Sequence, residues 1–332
     1  MAFKDIVGNE RIKRILQKSL QKQRLPNSLL FCGPEGVGMR ETALTLAKAL
    51  LCETQGDDAC EACGQCRRIS LDPEENRCPD FMAYASDKNV IKVESMRELK
   101  EVAYIKPMFG QRRVFIVDEA EKMNAEAANT LLKVLEEPPP FTTIILITTN
   151  LELILPTIKS RCQILNFSPI SQADIEQALR DKGLDEDKAK IVALYARGDL
   201  DLALDADWEE VEARRQAAWD MWRALLRKQG SPEFLDGYAF LKRKDAQEEL
   251  PQVLEIFSGF GRDLMVIKEG GDPRLLLNPD YEDALRRESD ALTLPQTLDF
   301  LARVDEALAG LDRNLNVGLL VSAFYSSIIN RP

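Results

Sequence analysis

The segment that most constrains this chain is GPEGVG, Gly33 to Gly38, set between the apolar run SLLFC and the helical pattern ETALTLAKALLC. A glycine loop between a strand and a helix is how parallel α/β sheets cradle phosphate. Backbone amides converge on the anion, a lysine after the last glycine reaches the β and γ phosphates, and the following hydroxyl ligates Mg2+. Gly33, Gly36 and Gly38 supply the turn, but Met39 stands at the lysine position and Arg40 at the hydroxyl position. Successive helix residues rotate by about 100°, so neither Arg40 nor Thr42 takes over the missing role. A charge-assisted hydrogen bond contributes about 1.5–3 kcal/mol, so losing the lysine alone weakens phosphate binding ~10- to 100-fold, and losing the metal ligand compounds this. Read alone, GPEGVG is equally compatible with a tight strand-to-helix turn.

A second marker decides between the two. RRVFIVDEA reads as a buried strand whose carboxyl end carries Asp118 and Glu119, where a magnesium carboxylate and a water-orienting carboxylate belong. Around these markers helical and strand patterns alternate, the signature of a parallel sheet wrapped by helices. Asn9 is expected to cap a helix through ERIKRILQKSL, and strands are expected at SLLFC, FMAY, NVIKV, RRVFIVDEA, TTIILITTN and CQILNF. Beyond Ser168 only helical patterns remain. The expectation is an α/β domain over residues 1–168, a small three-helix unit over 169–206 and an all-α domain over 207–332. In the last, Leu315, Leu319, Leu320, Ala323 and Phe324 form an apolar stripe, and Trp208, Trp219 and Trp222 read as internal packing.

The chain has no histidine among its 332 residues, which removes Ser/His and Cys/His dyads and leaves cysteine and carboxylate as the metal ligands available. Asp and Glu outnumber Lys and Arg by 55 to 44, and this balance disfavours a dedicated nucleic-acid binder. Lys13, Arg14 and Lys18 are read as a solvated helix face rather than a DNA contact. With no signal-peptide pattern and no long apolar run, a cytoplasmic location is expected. Cys52, Cys60, Cys63 and Cys66, in a C-x7-C-x2-C-x2-C arrangement inside an insertion at 52–66, form a candidate closed structural Zn2+ site. Cys78 is the alternative fourth ligand, while Cys32 and Cys162 flank strands and read as packing residues.

GPEGVG, VFIVDEAEKMNAEAANTLLKVLEEPP, TTIILITTN and LPTIKSRCQ together resemble the AAA+ clamp-loader family of bacterial replication, over roughly residues 1–205. The resemblance implies an AAA+ parallel-sheet domain, a helical lid and a collar domain that holds subunits in a ring. It makes Arg161, in Ser160-Arg161-Cys162, the arginine presented in trans to a neighbour's ATP. It places Asn150 at sensor 1, and it puts Asp201 where the sensor 2 arginine belongs. Three departures (Met39, Arg40 and Asp201) fall in one nucleotide site, whereas Arg161, which serves another subunit's site, is intact. By resemblance, therefore, the chain is expected to be a non-hydrolysing subunit that binds no ATP/Mg2+ itself. Its implied partners are gamma/tau and delta subunits in a hetero-oligomeric ring, the sliding clamp and primed DNA. The alternative is a slow but genuine ATPase of the gamma/tau type.

Overall fold

The computed structural model describes residues 1–87, 89–226, 246–290, 292–312 and 317–329. Two compact units emerge: Met1–Ala178 with Arg197–Leu204, and Leu179–Ala196 with Asp205–Pro332.

The first unit is an α/β layer structure. Its strands are β1 (Ser28–Cys32), β2 (Phe81–Tyr84), β3 (Arg113–Val117), β4 (Thr142–Thr148) and β5 (Gln163–Asn166). They pair in the order β2-β3-β4-β1-β5, every pair parallel. All seven residues of β4 and all five of β3 are buried, as central strands covered on both faces must be. The register sets Leu30 of β1 and Val117 of β3 against the same residue, Leu146 of β4, so the glycine loop and Asp118 leave the sheet at one edge.

The helices of this unit are α1 (Glu10–Gln21), α2 (Met39–Leu51), α3 (Gly64–Arg68), α4 (Val93–Ala103), α5 (Ala125–Glu136) and α6 (Pro156–Lys159). Asn124 caps α5 by accepting from Ala127 N at 2.8 Å, and α6 opens with proline at its first position. Three short helices follow: α7 (Gln172–Asp181), α8 (Glu186–Tyr195) and α9 (Leu200–Asp205). The boundary between the units runs through them, with α8 in the second unit and the start of α9 in the first.

Some local expectations change. NVIKV is no strand: only Val90 and Ile91 make single bridges, and α4 begins at Val93. Asn9 sits in the left-handed region and does not cap α1; its amide instead donates to Val37 O and Ser168 O and accepts from Ser168 N. Lys13 is buried, paired with Glu10 and bonded to Ile6 O, so it leaves the solvated face assigned to it.

The second unit is helical among the described residues: α10 (Trp208–Leu226), α11 (Ala246–Lys268), α12 (Glu282–Ser289), α13 (Leu294–Asp312) and α14 (Val317–Ile329). Its core stacks Trp219 on Trp222 at 5.2 Å and sets Trp222 against Phe260 and Phe300. Trp208 lies beneath Lys188 instead. The apolar stripe divides: Leu320 is buried, Phe324 packs on the core and Leu319 is 74% exposed, while Leu315 lies outside the described residues. No described helix is long and apolar enough to cross a membrane.

Candidate functional site

A cleft of about 430 Å3 opens where the glycine loop meets the end of β3. Its walls carry Gly36, Gly38, Met39, Arg40, Asp118, Glu119 and Asp201. The structure thus gathers most of the expected nucleotide-site positions. Two positions do not line it: Gly33, whose amide bonds Thr148 O, and Asn150, whose side chain caps the turn Leu151–Leu153 by accepting from Glu152 N at 3.0 Å. Gly36 and Gly38 both have positive φ, 65° and 81°, which explains why glycine is needed there.

The chemistry inside is not that of a triphosphate site. Met39 is 6% exposed, buried in the core rather than reaching outward. Thr42 is buried, donates its hydroxyl to Gly38 O at 2.6 Å and does not line the cleft. Arg40 Nε lies 2.9 Å from Asp118 Oδ2. Glu119 accepts from Ser86 and Lys122; burial raises this carboxyl, but those two donors hold it below the ordinary range. Six carboxylates (Glu35, Glu41, Asp118, Glu119, Glu121 and Asp201) line the cleft against two cations, Arg40 and Lys122. Burial pushes the carboxyl of Asp118 up, with Arg40 opposing; burial also raises Glu41, and nearby Asp201 adds to it. The residues present do not fit a Mg2+-bound triphosphate, because Met39 and Arg40 stand where the phosphate-binding lysine and the metal-ligating hydroxyl belong and the surrounding carboxylates repel phosphate.

Arg161 is not among the residues lining this cleft. It follows α6 at the surface, and its Nη1 donates to Thr157 O at 2.9 Å while Nη2 meets Glu136 Oε1 at 2.9 Å. Its side chain remains 34% exposed. Nothing in the sequence singles out Glu136; a glutamate ending a helix before a proline run carries no distinguishing signal. The same holds for Ser86 and Lys122, which meet Glu119 only through the fold.

In the cysteine insertion, the Sγ atoms of Cys52, Cys60, Cys63 and Cys66 all lie within 4.8 Å of one another. The Cys52–Cys63 and Cys60–Cys66 pairs are each 3.9 Å apart. Four thiolates about 2.3 Å from a tetrahedral Zn2+ stand about 3.8 Å apart, close to the two 3.9 Å pairs, so the cluster is compatible with a tetrahedral metal. Amide donation from Ala62 and Cys63, with help from Cys52, lowers the Cys60 thiol to about 6, whereas burial, with Cys63 adding to it, pushes the Cys66 thiol up. Cys78 stays outside the cluster, bonded to Gln65. The insertion is also tied to its surroundings: Glu61 pairs with Lys48 of α2 and with the amino terminus, and Asp58 accepts from Phe3 N.

The family model described as DNA polymerase III, delta subunit matches residues 8–171. The DNA polymerase III subunit delta′ of Bacillus subtilis (strain 168) is 30% identical over 311 residues, covering 92% of this chain and 92% of that one. The chain belongs to the DNA polymerase III delta′ subunit family. Relatives named as gamma or tau subunits match a shorter part of it. The DNA polymerase III subunit gamma of Buchnera aphidicola subsp. Schizaphis graminum is 33% identical over 211 residues, 61% of this chain and 57% of that one. Among solved structures, a gamma subunit-related protein of Thermotoga maritima covers 96% of this chain, and this chain 99% of it, at 18% identity with a TM-score of 0.44.

Proposed function

We propose that this chain is the non-hydrolysing stator of a clamp loader: it supplies Arg161 to the ATP site of a neighbouring gamma/tau-type subunit and helps seat a sliding clamp on primed DNA. The observation that carries the reading is an asymmetry of charge. The chain's own cleft sets six carboxylates against two cations, one of them Arg40 on Asp118, while the Arg161 guanidinium stands at the surface, 34% exposed. A guanidinium delivered into another subunit's site stabilises charge on the transferring phosphoryl group, an effect of about 10³- to 10⁵-fold in GTPases. Here α5 and α6 hold that group through Glu136 and Thr157.

Two further parts complete the reading. Cys52, Cys60, Cys63 and Cys66 would hold a structural Zn2+, a closed four-ligand site that cross-links the insertion and leaves no open position for catalysis. The second unit would serve as the collar joining this chain to gamma/tau and delta subunits. Leu319, Leu320, Ala323 and Phe324 line one groove there with Ala307.

The competing reading, a slow gamma/tau-type ATPase, differs in one measurable respect. Titrating ATP with Mg2+ into the purified chain, then sizing it with and without a motor subunit, separates the two. The stator shows no Mg2+-dependent nucleotide binding yet enters the complex; micromolar ATP affinity in the isolated chain would replace it with the ATPase.

A further inference from the structure

In a working phosphate loop, the residue after the lysine and the carboxylate at the neighbouring strand's end converge on one divalent cation. In this chain the two positions still converge, but on each other. Asp118 is 13% exposed in its side chain and Arg40 58%, so a cation anchored on α2 reaches inward from the solvent side onto a largely buried anion. The surroundings show why that anion needs it. Glu35, Glu41, Glu119, Glu121 and Asp201 share the cleft wall, and its other cation, Lys122, is engaged by Glu119.

We propose that Arg40 is a resident substitute for the divalent cation: its guanidinium neutralises Asp118, so the end of β3, the glycine loop and the first turn of α2 hold one geometry without metal or nucleotide. A second tie on the loop also needs no ligand. Gly36 O accepts from Leu200 N at 2.8 Å. The Asp199 carboxylate fills the space where a side chain at Gly36 would stand. In an enzyme that binds ATP, the nucleotide and its metal bridge these parts and release them on turnover. Here the bridge is covalently part of the chain and turns over nothing. The inference stands on the Arg40–Asp118 geometry and does not depend on the role proposed for Arg161.

The test uses Mn2+ as the probe, followed by electron paramagnetic resonance on the full chain. Four proteins are compared: the unmodified chain, Arg40→Ala, Asp118→Asn and the double variant. The unmodified chain and Asp118→Asn are expected to bind Mn2+ alike. Arg40→Ala gains a site about 10- to 100-fold tighter, the range of one charge-assisted contact, and the double variant loses it again. Thermal unfolding gives a second readout: Arg40→Ala lowers the midpoint, because Asp118 is left among like charges, and adding Asp118→Asn restores it. Should Arg40→Ala not fold, Arg40→Gln, which keeps length without charge, takes its place. Asp118-dependent Mn2+ binding in the unmodified chain, or no gain in either arginine variant, overturns the proposal.

Discussion

Replacing Glu136 with alanine tests how the exposed arginine is held. The pair spans 2.9 Å, with side-chain exposures of 34% for Arg161 and 51% for Glu136. At such exposure an ion pair contributes about 0–1 kcal/mol, because solvent screens it and two long side chains must be ordered. A phosphate group facing the same guanidinium in a drier site competes with a charge-assisted contact of about 1.5–3 kcal/mol. On the proposed role, the glutamate would be a holder that yields to a phosphate, with Thr157 O still accepting from Nη1 in its absence. The expected effect of Glu136→Ala is below about fivefold in the ATPase rate of the reconstituted complex, the equivalent of about 1 kcal/mol, and it shrinks in high salt. The assay is steady-state phosphate release at low and high ionic strength. A loss from Glu136→Ala as deep as the one from Arg161→Ala would refute this reasoning, since a screened surface pair cannot supply it.

Other outcomes rest on the same geometry. The purified chain should carry one metal ion, lost in Cys52→Ser and Cys66→Ser and kept in Cys78→Ser, as read by elemental analysis and by the thiolate bands of a Co2+-substituted protein; metal retained in Cys52→Ser would contradict the four-thiol cluster. Glu41→Gln should raise the unfolding midpoint at neutral pH, because burial and Asp201 push this carboxyl above its ordinary value and its ionisation opposes folding. A carboxyl raised in the folded state favours folding most when protonated, so the charged form weakens stability as pH rises through its folded pKa. The advantage of Glu41→Gln should fade as pH falls toward about 4.3; an advantage that grows on acidification would contradict the assigned shift.

Much of the α/β unit was legible because its cues are local. Apolar runs such as VFIV and IILI can only be buried strands at that length, and each is bounded by a turn or a cap. The cysteine spacing likewise placed three thiols on one short turn, and the fourth was decided by where α2 ends: Cys52 is its C-terminal cap and so faces α3. What the sequence hid were contacts that only the sheet creates. Arg40 and Asp118 lie far apart in the chain and meet because β1 and β3 flank β4. Glu136 reaches Arg161 through the packing of α5 beside α6. Asn9 looked like a cap because its residue type favours one, but tertiary bonds to Val37 and Ser168 won. Helix α13 carried a readable signal in Phe300, Val304 and Ala307, all buried at helical spacing.

The most direct test of the central claim is the rate of ATP hydrolysis by a complex reconstituted with gamma/tau and delta subunits, measured with this chain unmodified and with Arg161→Ala. If the guanidinium serves a neighbour, the complex assembles normally and hydrolysis at the adjoining site falls by about 10³-fold or more. An unchanged rate at every site with Arg161→Ala would contradict the account.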